Sequence, residues 1–437
     1  MSDAGTSPTS PAVPGPMRVL GLRGAAGLGM GSMLGAGVFA VWAPAAEAAG
    51  SLLLAAVAVA ALVAVCNALS TAALAARHPS AGGVYAYGRA EVSPAAGYLA
   101  GLGFVIGKTA SLAAMGLVIG AYAWPGREAL VATVALVIAW LVNARGVTRT
   151  AFVASVLAGV VVTALAVFVV TAWTQPAADA VPAASGAGEW WQPLLQVGAG
   201  AGVVFFAFAG YARVATLGEE VREPERTIPR AVSLAIGAVL LVYVAVAAAL
   251  MHRPGVAAVA ASDAPVAELV RGTAIPVAAV SVVAVLAAFG AMVGLAAGVG
   301  RTAMAMARED DLPRFMARQG ATGVPWIAEG VVVLVAIGLA WWGNLTLALS
   351  MSAFSVCVYY AVANYAALKA FSRKGDPAPR RARWIARAGL VGCVALALSL
   401  PVGAAVFSIV LALVALAVRW LLGWLRRTRA ALRRREG

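Results

Sequence analysis

Gly27-Leu-Gly-Met-Gly-Ser-Met-Leu-Gly-Ala-Gly-Val-Phe39 packs five glycines into eleven residues of an otherwise apolar run. Each glycine in a helix interior costs about 1 kcal/mol relative to alanine, so a helix that keeps this cluster must use it. Two uses fit: another helix packs closely against the glycines, or the backbone unwinds there. A dinucleotide loop is excluded, because no strand precedes the glycines and the spacing is not G-x-G-x-x-G. A weaker cluster follows in Val197-Gly-Ala-Gly-Ala-Gly-Val-Val-Phe-Phe-Ala-Phe-Ala-Gly-Tyr211.

The rest of the chain supplies the solvent for these clusters. Of 437 residues, 62% are hydrophobic and 11% charged, whereas soluble domains carry about 25% charged residues. Apolar runs of about 18 or more residues, long enough to cross a bilayer as helices, recur along nearly the whole chain. They are too continuous for barrel strands, which alternate over about 10 residues. With no water to satisfy the backbone in lipid, the expected class is an all-α membrane protein. About 12 spans are expected, at roughly 19–44, 50–76, 95–123, 128–144, 150–173, 194–216, 230–251, 274–300, 325–343, 345–371, 385–402 and 404–424. The shortest connections fall at Trp342–Leu345 and Pro401–Gly403.

The two glycine clusters then occupy spans 1 and 6, one five-span unit apart. Five is odd, so the two spans cross the membrane in opposite directions, which describes an inverted repeat. Interrupted segments at matching positions of such halves point to a transporter's binding site. Half-helix N-termini offer N–H groups to a carboxylate, and half-helix C-termini offer carbonyls to an ammonium. The expected organisation is a single transporter domain over 17–425, with repeats at about 19–173 and 194–371 and two extra helices at about 385–424. A Pro/Ser/Ala-rich disordered tail is expected over 1–16 and a basic tail over 426–437.

The net charge of +14 does not require a nucleic-acid partner. With the N-terminus inside, 27 of the 32 Lys and Arg fall on the cytoplasmic side, and only Arg127, Arg253 and Arg271 fall outside. That bias places both termini in the cytoplasm of a multi-pass cell-membrane protein. Arginines of the 426–437 tail can also meet anionic lipid heads. Cys66, Cys357 and Cys393 show no metal or disulfide spacing and read as small packing residues. His78 and His252 fall in loops and read as solvated. The acidic clusters Glu219-Glu220, Glu223, Glu225 and Glu309-Asp310-Asp311 sit among arginines and read as ion pairs that shape an inner gate. No cofactor, metal or catalytic constellation is indicated, so an enzyme is not expected.

At these residues the chain resembles the amino acid–polyamine–organocation (APC) permease superfamily. The resemblance rests on Gly35-Ala-Gly-Val-Phe39, on Phe205-Phe-Ala-Phe-Ala-Gly-Tyr211 and on Gly218-Glu-Glu-Val-Arg-Glu-Pro-Glu-Arg-Thr-Ile-Pro-Arg230. Pro79-Ser-Ala-Gly-Gly-Val-Tyr85 and Arg301–Arg308 with Leu312-Pro313 extend it collinearly over residues 20 to 330. It implies a LeuT-like five-plus-five fold with discontinuous helices 1 and 6, two further helices, and amino acids or related amines as substrates. Carried over, a substrate carboxylate would meet the backbone of Gly35, Ala36 and Gly37, past Leu34. Its ammonium would meet carbonyls near Ser32, Met33, Phe206 and Ala209. Phe206 and Phe208, flanking Ala207 and followed by Gly210, would wall or gate the side chain.

Two departures bear on coupling. Sodium sites of this fold use hydroxyls of span 8, and Ala287–Gly300 carries neither hydroxyl nor carboxylate, although a hard cation needs several oxygen ligands. Proton-coupled relatives often carry a lysine in span 5, where this chain has Val161. Lys108 instead lies midway along span 3, in Gly103-Phe-Val-Ile-Gly-Lys-Thr-Ala110. An intramembrane ionisable group is a functional candidate by default. Lys108 is expected to be a proton site or a substitute cation holding spans 1 and 8, against a structural lysine paired with carbonyls. Arg213, one turn past the span 6 break, is read as a gate residue or as a partner of a substrate carboxylate. Glu47 reads as a solvated loop acid, so no acid favours a cationic substrate.

The expected function is secondary transport of neutral amino acids by proton symport or exchange, through alternating access. The rivals are an exporter of the same fold, a transporter of acidic amino acids or related amines, and a non-transporting membrane sensor. The expected partners are an amino acid, protons and membrane lipids, with the protein a monomer or homodimer.

Overall fold

The computed structural model describes residues 21–78, 83–145, 150–178, 190–211, 221–320, 323–373 and 379–436. The 1–16 tail, Pro79–Gly82 of the loop motif, Arg213, Glu219 and Glu220 lie outside them. Among the described residues every regular element is helical. In chain order these are α1 (Leu22–Met33), α2 (Gly37–Ala40), α3 (Trp42–Ala49), α4 (Leu53–Arg77), α5 (Gly83–Glu91), α6 (Pro94–Ala123), α7 (Glu128–Ala144) and α8 (Thr150–Trp173). Then come α9 (Gln192–Phe208), α10 (Pro224–His252), α11 (Val256–Ala260), α12 (Val277–Arg308), α13 (Trp326–Trp342), α14 (Leu345–Phe371), α15 (Arg380–Ser399) and α16 (Val402–Glu436). Nine helices among the described residues are long and apolar enough to cross a membrane, and α7 and α13 are shorter apolar helices.

Local chemistry sets the ends of these helices. The Ser93 side chain accepts from the Ala96 amide, and Pro94 opens α6 at a position where its missing N–H is harmless. Asn344 caps α14 by accepting from the Leu347 amide at 2.8 Å, which divides α14 from α13 across the two residues after Trp342. Pro401 stands between α15 and α16, where it cannot continue the helix before it.

Helix α6 is the axis of the packing. In its most apolar window 89% of residues are buried, against 11% for the window in α16. Small residues let neighbours close on it. A Cβ on Gly107 would meet Ser355 of α14 at 2.9 Å, and one on Gly116 would meet Ala132 of α7 at 2.8 Å. Lys108 therefore enters the interior on the most enclosed of the nine apolar spans among the described residues, at a level where α14 is in contact.

Candidate functional site

The first stretch breaks its helix at Leu34–Ala36, whereas in the second Gly198, Gly200 and Gly202 lie inside helix α9 and the α-helix gives way only at Ala209. Helix α1 stops at Met33, residues 34–36 bend, and α2 restarts at Gly37. The Leu34 amide still reaches the Met30 carbonyl at 2.8 Å, and Phe39 and Ala40 both donate to the Ala36 carbonyl. Helix α9 ends at Phe208 and tightens into a 3-10 turn at Ala209–Tyr211.

The glycines also make close packing possible, so both uses of the cluster hold. A Cβ on Gly210 would come within 3 Å of the Ser32 carbonyl and the Met33 amide. One on Gly37 would lie 2.8 Å from Ala207 Cα, and one on Gly35 would collide with Ala291 of α12. The two breaks thus press backbone against backbone. Met33, Leu34, Ala36, Ala207, Phe208 and Ala209 are buried and Phe206 is 6% exposed, whereas Ser32 and Gly210 at the edge of the seam are half-buried.

Two side chains reach into this seam and hydrogen-bond to its backbone carbonyls. The Tyr243 hydroxyl, on α10, lies 2.6 Å from the Met33 carbonyl and 3.0 Å from the Ala207 carbonyl, and shares its proton across the breaks. Sequence reasoning did not find Tyr243. An aromatic residue on an apolar helix carries no local sign that its hydroxyl is aimed at two other helices. The second is Lys108, whose Nζ donates to the Ala209 carbonyl at 3.1 Å. That bonded partner lies in the 3-10 turn that follows α9, and a backbone carbonyl is also what the structural alternative for Lys108 expected.

The remaining site residues take structural partners. The Ser32 hydroxyl donates back to Leu28 at 2.6 Å, which leaves its own carbonyl to the seam. Phe208 packs edge-on against Tyr243 at 4.9 Å, and Tyr211 stacks on Tyr360 at 5.1 Å. Phe39 of α2 meets Tyr122 edge-on, and the Tyr122 hydroxyl donates to the Phe39 carbonyl at 3.4 Å. One turn beyond Lys108, the hydroxyls of Ser111 and Ser352 lie 2.7 Å apart and join α6 to α14. Arg213 lies outside the described residues.

Charged pairs concentrate at the arginine-rich end instead. Asp311, 2% exposed, accepts from the Tyr85 hydroxyl at 2.8 Å and pairs with Arg89 at 3.4 Å and Arg419 of α16 at 2.8 Å. Burial and then the bond to Asp311 raise the Tyr85 hydroxyl above the usual phenol range. Arg89 also pairs with Glu309, and Arg314 with Asp310. The acidic cluster is therefore ion-paired, as its arginine neighbours suggested.

Both histidines correct the solvated reading. His78 Nε2 lies 2.6 Å from buried Glu91, which also meets Arg373 at 2.8 Å, and His252 stacks on Trp173 at 4.2 Å. Sequence reasoning also missed Glu329, buried on the first turn of α13 against Gly300. The three cysteines are buried, and Cys393 donates to Asn67 beside Cys66. Among the described residues no group of three His, Cys, Asp or Glu is placed to hold a metal.

Comparison with known proteins agrees with this architecture. The amino acid permease family model matches residues 20–421. An uncharacterized transporter of Mycobacterium tuberculosis is 46% identical over 402 residues, covering 90% of this chain and 89% of the relative. The inner membrane transport protein YbaT of Escherichia coli is 27% identical over 368 residues, covering 78% of this chain and 82% of its own length. The L-methionine/branched-chain amino acid exporter YjeH of Escherichia coli is 32% identical over 243 residues, covering 53% of this chain and 56% of its own length. A helical bundle spanning the membrane, with helix α1 broken against the 3-10 end of α9 and the family matched along nearly the whole length, is a transporter rather than an enzyme, and the chain belongs to the amino acid permease family.

Proposed function

We propose that the protein is a secondary transporter of neutral amino acids that binds its substrate at the seam between the two breaks. In this reading about twelve spans form a five-plus-five inverted repeat with both termini in the cytoplasm. Alternating access comes from movement about spans 1 and 6. The observation that carries it is the contact of Gly210 with Ser32 and Met33, which brings the two interrupted helices together at one point. A substrate carboxylate meets the amides of Gly35, Ala36 and Gly37, and its ammonium meets carbonyls of Ser32, Met33, Phe206 and Ala209. Phe206 and Phe208 flank the side chain, and Arg213 serves as a gate residue or as a partner of the substrate carboxylate.

Coupling to protons, by symport or exchange, is preferred over sodium because Ala287–Gly300 has no hydroxyl or carboxylate. Neutral substrates are preferred because the described part of the seam holds a cation and no acid. A relative named for the export of methionine and branched-chain amino acids supports the same substrate class and keeps export as the second reading. The test is a thermal-shift screen of amino acids on the purified protein, since a ligand stabilises the state it binds, followed by exchange in proteoliposomes. A panel of amino acids that neither stabilises nor exchanges ends the proposal.

A further inference from the structure

We infer that Lys108 is a tethered competitor for the substrate's amino group, so that substrate binding expels the Lys108 proton and the protein works as a proton–amino acid antiporter. The inference rests on the reading of the seam as an amino-acid site. It begins with the carbonyls. The C-terminal end of a helix leaves up to about four carbonyls unpaired and carries the negative end of the dipole. Helix α1 ends at the seam and α9 passes there into a 3-10 turn, and the Met33, Ala207 and Ala209 carbonyls accept from side-chain donors, so the seam attracts cations without any acid.

Internal donors already occupy those carbonyls. Tyr243 engages Met33 and Ala207, and the Lys108 ammonium engages Ala209. An incoming ammonium that takes the Ala209 carbonyl must displace Lys108. A displaced ammonium then needs another partner. About this level of α6 the titratable groups on α14 are Cys357, Tyr359 and Tyr360, and the 3-10 turn adds Tyr211. Helix α2 has no ionisable residue, and the charges of α12 begin only at Arg301. Glu329 of α13 and Glu128 of α7 stand in the first turns of their helices. Arg89 of α5 and Arg419 of α16 are committed to Asp311. Among the described residues none forms an ion pair with Lys108. A buried, unpartnered ammonium is expensive, and losing its proton removes the expense.

The proton balance is simple. One N–H bond of Lys108 breaks, the proton passes to water on the side to which the seam is open, and the substrate ammonium donates to Ala209 instead. On the opposite side the substrate leaves, a proton from water adds to the Lys108 lone pair, and the ammonium returns to the carbonyl. Each cycle moves one proton against one amino acid, so an inward proton gradient drives the amino acid outward. By linkage, protonation weakens substrate binding by the factor by which substrate weakens protonation. Symport needs the opposite sign, with the protonated protein binding better.

The experiment measures proton exchange on binding. The full chain in detergent, in weak buffer with a pH indicator, is mixed with L-leucine, L-methionine or L-alanine, and affinities are taken at acidic, neutral and alkaline pH. The expected result is release of a proton on binding. Affinity should rise by up to about tenfold per pH unit until the empty protein is itself deprotonated. Lys108→Met is expected to bind with no proton release and no pH dependence. Proton uptake on binding overturns the inference in favour of symport. A wild-type protein that binds with no proton exchange overturns it in favour of a permanently charged structural lysine. Absence of binding by the wild type at every pH instead removes the amino-acid site itself. The sign of proton exchange is read from the wild type alone, so it is decided even where the variant fails to fold.

Discussion

The seam between the breaks and the arginine-rich end both handle charge in a buried setting, by opposite means. At the end, Asp311 is enclosed by Tyr85, Arg89 and Arg419, and Glu91 by His78 and Arg373. Charge meets charge there, through side chains of several helices. At the seam, one ammonium meets one carbonyl, and a hydroxyl meets two more. The partners there are backbone groups that a small zwitterion can also use. The end thus holds its acids by several side chains each, whereas the proposed function requires the seam to exchange partners.

The largest loss should come from breaking the end. Asp311→Ala removes the bonds to Tyr85 and Arg419 while Arg89 keeps Glu309, and because both arginines are about a third exposed the loss is that of charge-assisted hydrogen bonds, about 2–3 kcal/mol. A fall of that size in unfolding free energy, measured by denaturant titration in detergent, is the expected outcome. Next is Gly210→Ala, whose Cβ would press on the Ser32 backbone. Overpacking of this kind costs about 1–3 kcal/mol, and labelled amino-acid exchange in proteoliposomes should fall with it. Tyr243→Phe removes one hydroxyl and leaves buried carbonyls without a donor, a loss of about 1–3 kcal/mol that a melting curve can resolve. Least of all is Arg314→Ala. Its exposed pair with Asp310 is of the kind that contributes little, and the melting curve should not move. If Arg314→Ala destabilised as much as Asp311→Ala, burial would not be what separates the regions.

Much of the fold was legible because membrane helices advertise themselves locally. The run from Pro94 to Ala123 is apolar enough to read as one span, and Pro401 marks a stop. The break at Leu34–Ala36 was legible for a related reason, since glycine is costly in a helix wherever the helix sits, whereas Gly198, Gly200 and Gly202 are carried inside α9. Contacts across the fold were not. Lys108 and Ala209 are 101 residues apart and Tyr85 and Asp311 are 226 apart, and no local periodicity joins them. His78 read as a solvated loop residue because its partner Glu91 is brought to it only when α5 folds back beside α4. Tyr243 was invisible for the same reason: its hydroxyl acts on backbone atoms, which have no residue identity.

If substrate sits where the two breaks meet, a side chain added at Gly37 must disturb binding and one added far from the seam must not. Gly37→Ala and Gly338→Ala, each shown monodisperse in detergent, separate these cases through their binding of tritiated L-leucine. A Cβ at Gly37 meets Ala207, whereas one at Gly338 meets nothing within 4 Å. Loss of affinity by about tenfold or more in Gly37→Ala, with Gly338→Ala unchanged, is the predicted result. Equal, wild-type affinity in both proteins would place the substrate elsewhere.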